Sequence, residues 1–361
     1  MKKILIGYIN NGKIGGIDKY LLNFADKINS KDIQIDFLTR NNDEEFKNYL
    51  NSKGYNIYCI ERNRHFIKQY KQMKKILKNN YDIAYYNISE TYNCVGLIAA
   101  KKAKVKKIIV HSHSSNSSGK NILIRNAKRL LNYIFKPLVR KCANQYLACS
   151  DLAAKWLYTK KIAKNEQYEI IYNSIDFNKF KYNQKSRNSI RNNYNIDDKF
   201  IIGFVGRFGY EKNTLFLIDI LCEVLKERDN SILLCIGEGP YMDIFKTYAQ
   251  EKNVLDKIVF AGVVDNSWDY YQAFDVFVLP SLYEGLPIVG VEAQISGCPS
   301  IFSDHITKHV IIGKNSYRES IKNVNAWKER ICSIKSRENE LLEVAKNYDL
   351  NNSSQFDKII N

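Results

Sequence analysis

Two doubly wound α/β domains are what this sequence of 361 residues predicts. Three observations carry the prediction. Short apolar runs alternate with helix-length amphipathic segments; the alternation pauses near residue 176 and starts again near residue 200; and 45% of the residues are apolar, which allows a sizeable core in each half. The first series of runs is Lys3–Tyr8, Ile33–Leu38, Asn56–Ile60, Asp82–Tyr86, Lys107–His111, Gln145–Cys149 and Glu169–Tyr172. The second is Phe200–Val205, Ile232–Ile236, Lys257–Phe260, Asp275–Leu279 and Ser300–Phe302. Helical segments such as Asp18–Asn29, Thr214–Arg228 and Pro287–Ser296 lie between nearly all of them. Repeated βα units build parallel sheets with helices on both faces. The polar stretch Asp176–Asn195 lacks strand character and is expected to join the two halves. The expected division is 1–175, 176–335 and a C-terminal segment, 336–361.

Composition narrows the function. No run reaches the roughly 18–20 uninterrupted apolar residues of a membrane span. The start resembles a signal peptide for only a few residues, because polar Asn10, Asn11 and Lys13 follow at once. The eight cysteines form no CxxC pair, and Cys59, Cys149 and Cys235 lie in apolar runs. They read as free thiols packed as small hydrophobes in a reducing cytosol. A net charge of +17 fits nucleic acid, an anionic membrane surface or an anionic small substrate. It also fits plain compositional bias, since lysine is abundant throughout.

Five segments carry candidate chemistry. In Leu279-Pro-Ser-Leu-Tyr-Glu-Gly-Leu-Pro-Ile-Val-Gly-Val-Glu292 a buried strand ends at Pro280, and a loop holds Glu284 and Gly285. Pro287 suits the first turn of a helix, which Gly297 closes and Pro299 stops. Free N–H groups and the positive end of the helix dipole then stand beside Gly285 and Leu286, where they suit a phosphate. Glu292 lies further along that helix, and its carboxylate suits a ribose diol. The competing reading makes Glu284 a first-turn dipole residue and Glu292 a surface charge.

In Gly203-Phe-Val-Gly-Arg-Phe-Gly-Tyr-Glu-Lys-Asn213 a strand again runs into a glycine-flanked loop. Arg207 and Lys212 are placed to meet an anion there; the alternative is two solvated loop cations. In Asn11-Gly-Lys-Ile-Gly-Gly-Ile17, Gly15 and Gly16 allow close backbone approach before a helix, or simply make a tight turn. His111 and His113 follow a strand; with no third ligand, hydrogen bonding to a sugar hydroxyl or phosphate is favoured over a metal, and a structural histidine remains open. Lys120–Lys141 mixes apolar residues with Lys120, Arg125, Lys128, Arg129, Lys136, Arg140 and Lys141. It reads either as a basic amphipathic helix for an anionic membrane interface or as a core-facing helix with a solvated basic face, broken or kinked at Pro137.

Taken together these residues resemble the retaining glycosyltransferases of family 4. The resemblance rests on Gly203-Phe-Val-Gly-Arg207 with Lys212, Gly237-Glu-Gly-Pro240, Phe260-Ala-Gly, Pro280-Ser-Leu-Tyr-Glu284-Gly-Leu-Pro and Glu292, and on Asn173-Ser-Ile-Asp176 at the domain junction. It covers most of the chain in the right order, with His111-Ser-His113 and Ser303-Asp-His-Ile-Thr307 most like enzymes of bacterial capsule and exopolysaccharide assembly. It implies the GT-B fold, with two Rossmann-like domains facing across a cleft, acceptor-binding first and nucleotide-sugar-binding second. It implies that Arg207 and Lys212 neutralise the donor diphosphate and that Glu292 holds the ribose. Glu284, Gly285 and Leu286 would hold the transferred sugar and phosphate, with Gly237, Gly239 and Pro240 also on the nucleotide side. Gly15 and Gly16 would pass close to the diphosphate, and His111 or His113 would touch the sugar. The reaction implied is front-face substitution, with the nucleotide phosphate helping to deprotonate the acceptor.

Fixed cations agree with that chemistry, because a leaving diphosphate gains negative charge as the bond breaks. Two unit charges about 4 Å apart interact by roughly 4 kcal/mol at an effective dielectric of about 20. No DxD pair stands at a strand end, so no metal and no cofactor beyond the donor is called for; the resemblance implies a UDP-sugar as that donor, with a GDP-sugar the alternative. The expected partners are this donor and a saccharide acceptor carried on lipid, at the inner face of the cell membrane. Family members often use a C-terminal helix to cross back onto the first domain, and Glu338–Asn347 is the candidate here. A GT-B sugar-nucleotide epimerase and a basic nucleic-acid-binding protein are the competing readings; the spread of the basic residues and the lack of a recognised module weigh against the latter.

Overall fold

The structure, a computed structural model, describes residues 1–10, 15–62, 65–117, 119, 121–337, 340–352 and 354–361. Its contacts define two compact units, one built from residues 1–117, 121–174 and 352–361, the other from 175–351.

The first unit holds a parallel sheet of β1 (Lys2–Ile9), β2 (Ile33–Thr39), β3 (Asn56–Cys59), β4 (Ile83–Ile88), β5 (Lys107–Ser112), β6 (Gln145–Ala148) and β7 (Glu169–Ile170), in the order 3-2-1-4-5-6-7. Ile4 of β1 pairs with Ile35 of β2 on one side and Ile83 of β4 on the other. Central strands covered on both faces need apolar side chains at every position, and Ile4, Leu5 and Ile6 are fully buried. The second unit repeats the plan with β8 (Phe200–Val205), β9 (Ser231–Ile236), β10 (Ile258–Gly262), β11 (Val276–Leu279), β12 (Ser300–Ser303) and β13 (Ser316–Glu319), in the order 10-9-8-11-12-13. Strand order reverses between β1 and β4, and between β8 and β11. Those are the topological switch points at which ligands of such sheets bind, outside the carboxyl ends of the strands.

Several expectations need correction. Asp176–Asn195 holds no strand, in keeping with its polarity, but it is more than a linker. It forms helices Phe177–Phe180 and Gln184–Asn193, part of the second unit. Asn183 caps the second of these by accepting from Lys185 N and Ser186 N. Arg187 and Arg191 then grip opposite oxygens of Asp275, each at 2.5 Å, just before β11. Pro137 does not break its helix, which runs from Ile122 to Cys142. Of the candidate C-terminal helix, Glu338 lies outside the described residues and Glu343–Tyr348 is a 3₁₀ stretch of the second unit. It is residues 352–361 that pack with the first unit. There Phe356 is buried 5.2 Å from the Phe24 ring and 6.2 Å from the Tyr20 ring. All eight cysteines are free, but Cys59 is exposed, because β3 is an edge strand. Among the described residues no helix is long and apolar enough to cross a membrane.

Candidate active site

At the second switch point the chain leaves β8 through Gly206–Gly209 and a 3₁₀ turn, Tyr210–Lys212. The loop after β9 presses on it. Gly237 has φ +117°, and a Cβ there would lie 2.2 Å from Gly206 O; a Cβ on Gly239 would lie 2.3 Å from Phe208 O. Glycine is thus required by a backbone-to-backbone contact, which Gly206 N and Phe208 N seal by donating to Ile236 O and Glu238 O, each at 2.9 Å. Pro240 follows in an exposed turn.

The loop after β11 joins the same edge. Leu282 N donates to Glu211 O at 2.8 Å, and Lys212 Nζ reaches Glu284 Oε1 at 2.5 Å. Ser281 Oγ donates to the same oxygen at 2.9 Å. The side chains of Lys212 and Glu284 are only 14% and 15% exposed, so the pair is partly shielded from water. Arg207, on the β8 loop, is exposed and has no ion pair among the described residues. Gly285, Leu286 and Pro287 are buried and lead into helix Ile288–Ile295, with Pro287 one position outside its first turn. Gly297, at φ +72°, closes this helix: Cys298 N donates to Ala293 O and Gly297 N to Gln294 O.

Glu292 is not a surface charge. It is 5% exposed, and its Oε2 accepts from Tyr271 OH at 2.7 Å. Burial first, and the Glu292 charge second, hold the Tyr271 phenol well above its ordinary pKa. The phenol therefore stays a donor, and the carboxylate is fixed in place within helix Ile288–Ile295.

The first switch point is built differently. Helix Gly16–Ile28 starts behind Gly15, and Asp18 Oδ1 draws the chain back by accepting from Asn10 N at 3.0 Å. Residues 11–14 of the glycine segment lie outside the described residues, as does Lys120. His111, at the end of β5, is fully buried. A chain of hydrogen bonds joins Tyr20 OH to Tyr85 OH at 2.8 Å and Tyr85 OH to His111 Nδ1 at 2.6 Å. His113 Nε2 lies 2.7 Å from Asn87 Oδ1, and the two imidazoles are 3.9 Å apart. Burial pushes His113 down to about 3; burial, then the neighbouring imidazole, pushes His111 well below its ordinary value. Both rings are neutral. An amide oxygen only accepts, so His113 carries its proton on Nε2 and offers a lone pair at Nδ1. Among the described residues, His113 Nδ1 and His111 Nε2 are buried without a partner.

The structure thus unites Lys212 and Glu284 through two loops, sets Gly237 and Gly239 against the Arg207 loop, and pairs His111 with His113. Sequence reasoning missed Tyr271, Asn87, Tyr20 and Tyr85, none of which sits in a motif, and gave no role to Ser281, which lies within the Pro280–Pro287 motif. Among the described residues no group of three or more His, Cys, Asp or Glu is placed to hold a metal ion.

Residues 186–351 match the family model "Glycosyl transferases group 1", and residues 14–179 match "Glycosyltransferase Family 4". Bacillus subtilis EpsF, a glycosyltransferase by name, is 30% identical over 88% of this chain and 84% of its own length. The capsular polysaccharide biosynthesis glycosyltransferase CapH of Staphylococcus aureus is 26% identical over 87% of this chain and 83% of its own. A galactosyltransferase of Escherichia coli, named for UDP-Gal and α-D-GlcNAc-diphosphoundecaprenol, is 27% identical over 69% of this chain and 64% of its own. Among solved structures, Anabaena HepE in complex with UDP and glucose superposes with a TM-score of 0.79 at 18% identity, covering 100% of this chain and 99% of that one. At that identity the likeness speaks for the fold alone. Fold and switch-point loops define a GT-B enzyme. The chain belongs to glycosyltransferase family 4.

Proposed function

We propose that this glycosyltransferase moves a hexosyl group from a UDP-sugar to a saccharide acceptor carried on a lipid, with retention of anomeric configuration, in bacterial surface polysaccharide assembly. The observation that carries the reading is the Lys212–Glu284 pair, which joins the β8 and β11 loops at the switch point, with Arg207 on the same β8 loop. The relatives named for capsular polysaccharide and for a UDP-Gal reaction support it.

In this reading Arg207 and Lys212 neutralise the diphosphate, aided by the backbone of Gly285 and Leu286 before helix Ile288–Ile295. Glu292, already held by Tyr271, accepts from the ribose hydroxyls. Gly237, Gly239 and Pro240 border the nucleotide, and Gly15 and Gly16 let backbone approach the diphosphate. Glu284 and the neutral His111 and His113 hold the sugar by hydrogen bonds. The bond from the anomeric carbon to the phosphate oxygen breaks, and the acceptor oxygen bonds to that carbon on the same face. The acceptor proton passes to the departing phosphate oxygen, giving UDP. No protein base and no metal enter these steps. A lipid-borne acceptor places the reaction on the cytoplasmic face of the cell membrane, with the enzyme attached peripherally.

The test is to incubate the full chain with α-linked UDP-glucose or UDP-galactose, EDTA and a polyprenyl-diphosphate saccharide, and to follow the anomeric proton by NMR. An α-linked product with one UDP released per bond is expected. A β-linked product, or an epimerised donor without acceptor, would defeat the reading.

A further inference from the structure

Helix Ile122–Cys142 is turned the wrong way round for an ordinary surface helix. Its buried positions include Arg125, Asn132 and Val139, spaced by seven residues and therefore on one face. Asn132 fastens that face by polar bonds: its Oδ1 accepts from Thr91 N at 2.7 Å, and its Nδ2 donates to Trp156 O at 2.9 Å. The opposite face is apolar and in water. Leu123 is 75% exposed, Leu130 61%, Tyr133 66% and Ile134 57%. The core-facing reading therefore fails for Ile122–Ile134, where Ile122, Leu123, Ile124, Leu130, Leu131 and Ile134 are all exposed, and holds only near the end of the helix, where Val139 and Cys142 are buried. Isolated exposed apolar residues need no explanation, but a continuous stripe on one helix does.

Charge says what covers the stripe. Lys128, Arg129, Lys136, Arg140 and Lys141 are on the same helix, which has no acidic residue between Ile122 and Cys142. Beside its C-terminal half lies a groove of about 950 Å³, with Tyr133, Ile134 and Pro137 on one wall and Lys155, Lys160 and Lys164 on the other. A second copy of the chain would bring these cations face to face. A neutral apolar partner would leave them unmatched. Phe66 and Ile67, exposed at the start of helix Phe66–Ile76, stand at the same end of the sheet as the start of Ile122–Cys142 and in the same helix layer.

We propose that the outward face of helix Ile122–Cys142, with the lysine-lined groove beside it, docks the first unit on a bilayer that contains anionic lipid. The stripe enters the acyl boundary while the lysines and arginines meet phosphate headgroups. This deepens the reading above by naming the surface through which the enzyme meets the membrane that carries its acceptor.

The experiment is vesicle flotation of the full chain. Wild type is expected to float with phosphatidylglycerol-containing vesicles and not with pure phosphatidylcholine, and high salt is expected to weaken the binding. L130S/I134S and, separately, K160E/K164E are expected to cut the bound fraction about tenfold. Calorimetric UDP binding on the same samples checks folding, and its absence in wild type would count against the donor reading alone. Equal flotation of wild type with both vesicles, no flotation at all, or full flotation of both folded variants would overturn the proposal. So would light scattering that shows a wild-type dimer which L130S/I134S turns into a monomer, because the face would then belong to a second copy.

Discussion

At the carboxyl edge of the second sheet, backbone meets backbone: the loop of Gly237 and Gly239 lies directly on that of Gly206 and Phe208, and a single charge pair, Lys212 to Glu284, joins the β8 and β11 loops. At the same edge of the first sheet, side chains meet side chains, with Tyr20, Tyr85 and His111 in one hydrogen-bonded row and His113 on Asn87. The first construction places cations and N–H groups close to whatever occupies the edge, which suits a diphosphate. The second keeps the tyrosines and imidazoles of that row neutral and, among the described residues, leaves one nitrogen on each imidazole without a partner, which suits hydroxyls. One topology, used twice, is given two chemistries by what its loops are made of.

The largest effect should come from removing the support behind the neutral row. Phe356 packs on Tyr20 and Phe24, so Phe356→Ala should cost about 3–5 kcal/mol in urea unfolding. An unchanged midpoint would mean that residues 352–361 do not hold the first unit together. Next, Gly237→Ala meets Gly206 O and needs φ +117°, so about 3 kcal/mol and most UDP affinity should be lost. Calorimetry that finds normal UDP binding would show that the backbone contact does not shape the site.

The comparison also predicts an acid effect confined to the first unit. His111 and His113 stay neutral in the fold but would take up protons below about pH 6.5 when unfolded. The unfolded chain then binds more protons, so their contribution to stability is full above that pH and falls as pH drops towards 3. Between pH 7 and 5 the loss should be about 2 kcal/mol for each histidine, and His113→Asn should flatten the slope of unfolding free energy against pH. An identical slope in that variant would refute the neutral-pair account. Smallest in free energy, Arg207→Ala should weaken UDP by about tenfold, near 1.5 kcal/mol, with the unfolding midpoint unmoved because Arg207 is exposed.

Much of the fold could be read from the chain because central parallel strands are apolar at every position; β8 has the residues expected of it, Phe200–Val205. Strand β13 could not be read, since Ser316, Arg318 and Glu319 sit at a sheet edge and need no apolar run. Helix Gln184–Asn193 was equally hidden. Its sequence is polar, and its place depends on Asp275, more than eighty residues away. In the site, glycine spacing located the loops, but which charges would pair was not visible, as Lys212 and Glu284 are separated by 72 positions. The burial of Glu292 follows from Tyr271, which no motif marks. The orientation of helix Ile122–Cys142 stayed open in the sequence because its pattern is amphipathic in both readings; only burial tells which face meets the protein.

The most direct test is calorimetric titration of the purified full chain with UDP, GDP, ADP and short single-stranded DNA, without metal and at physiological salt. The account predicts that UDP binds selectively and that Arg207→Ala and Glu292→Ala weaken it. Binding only to DNA, with a steep salt dependence, or UDP binding untouched by both substitutions, would contradict it.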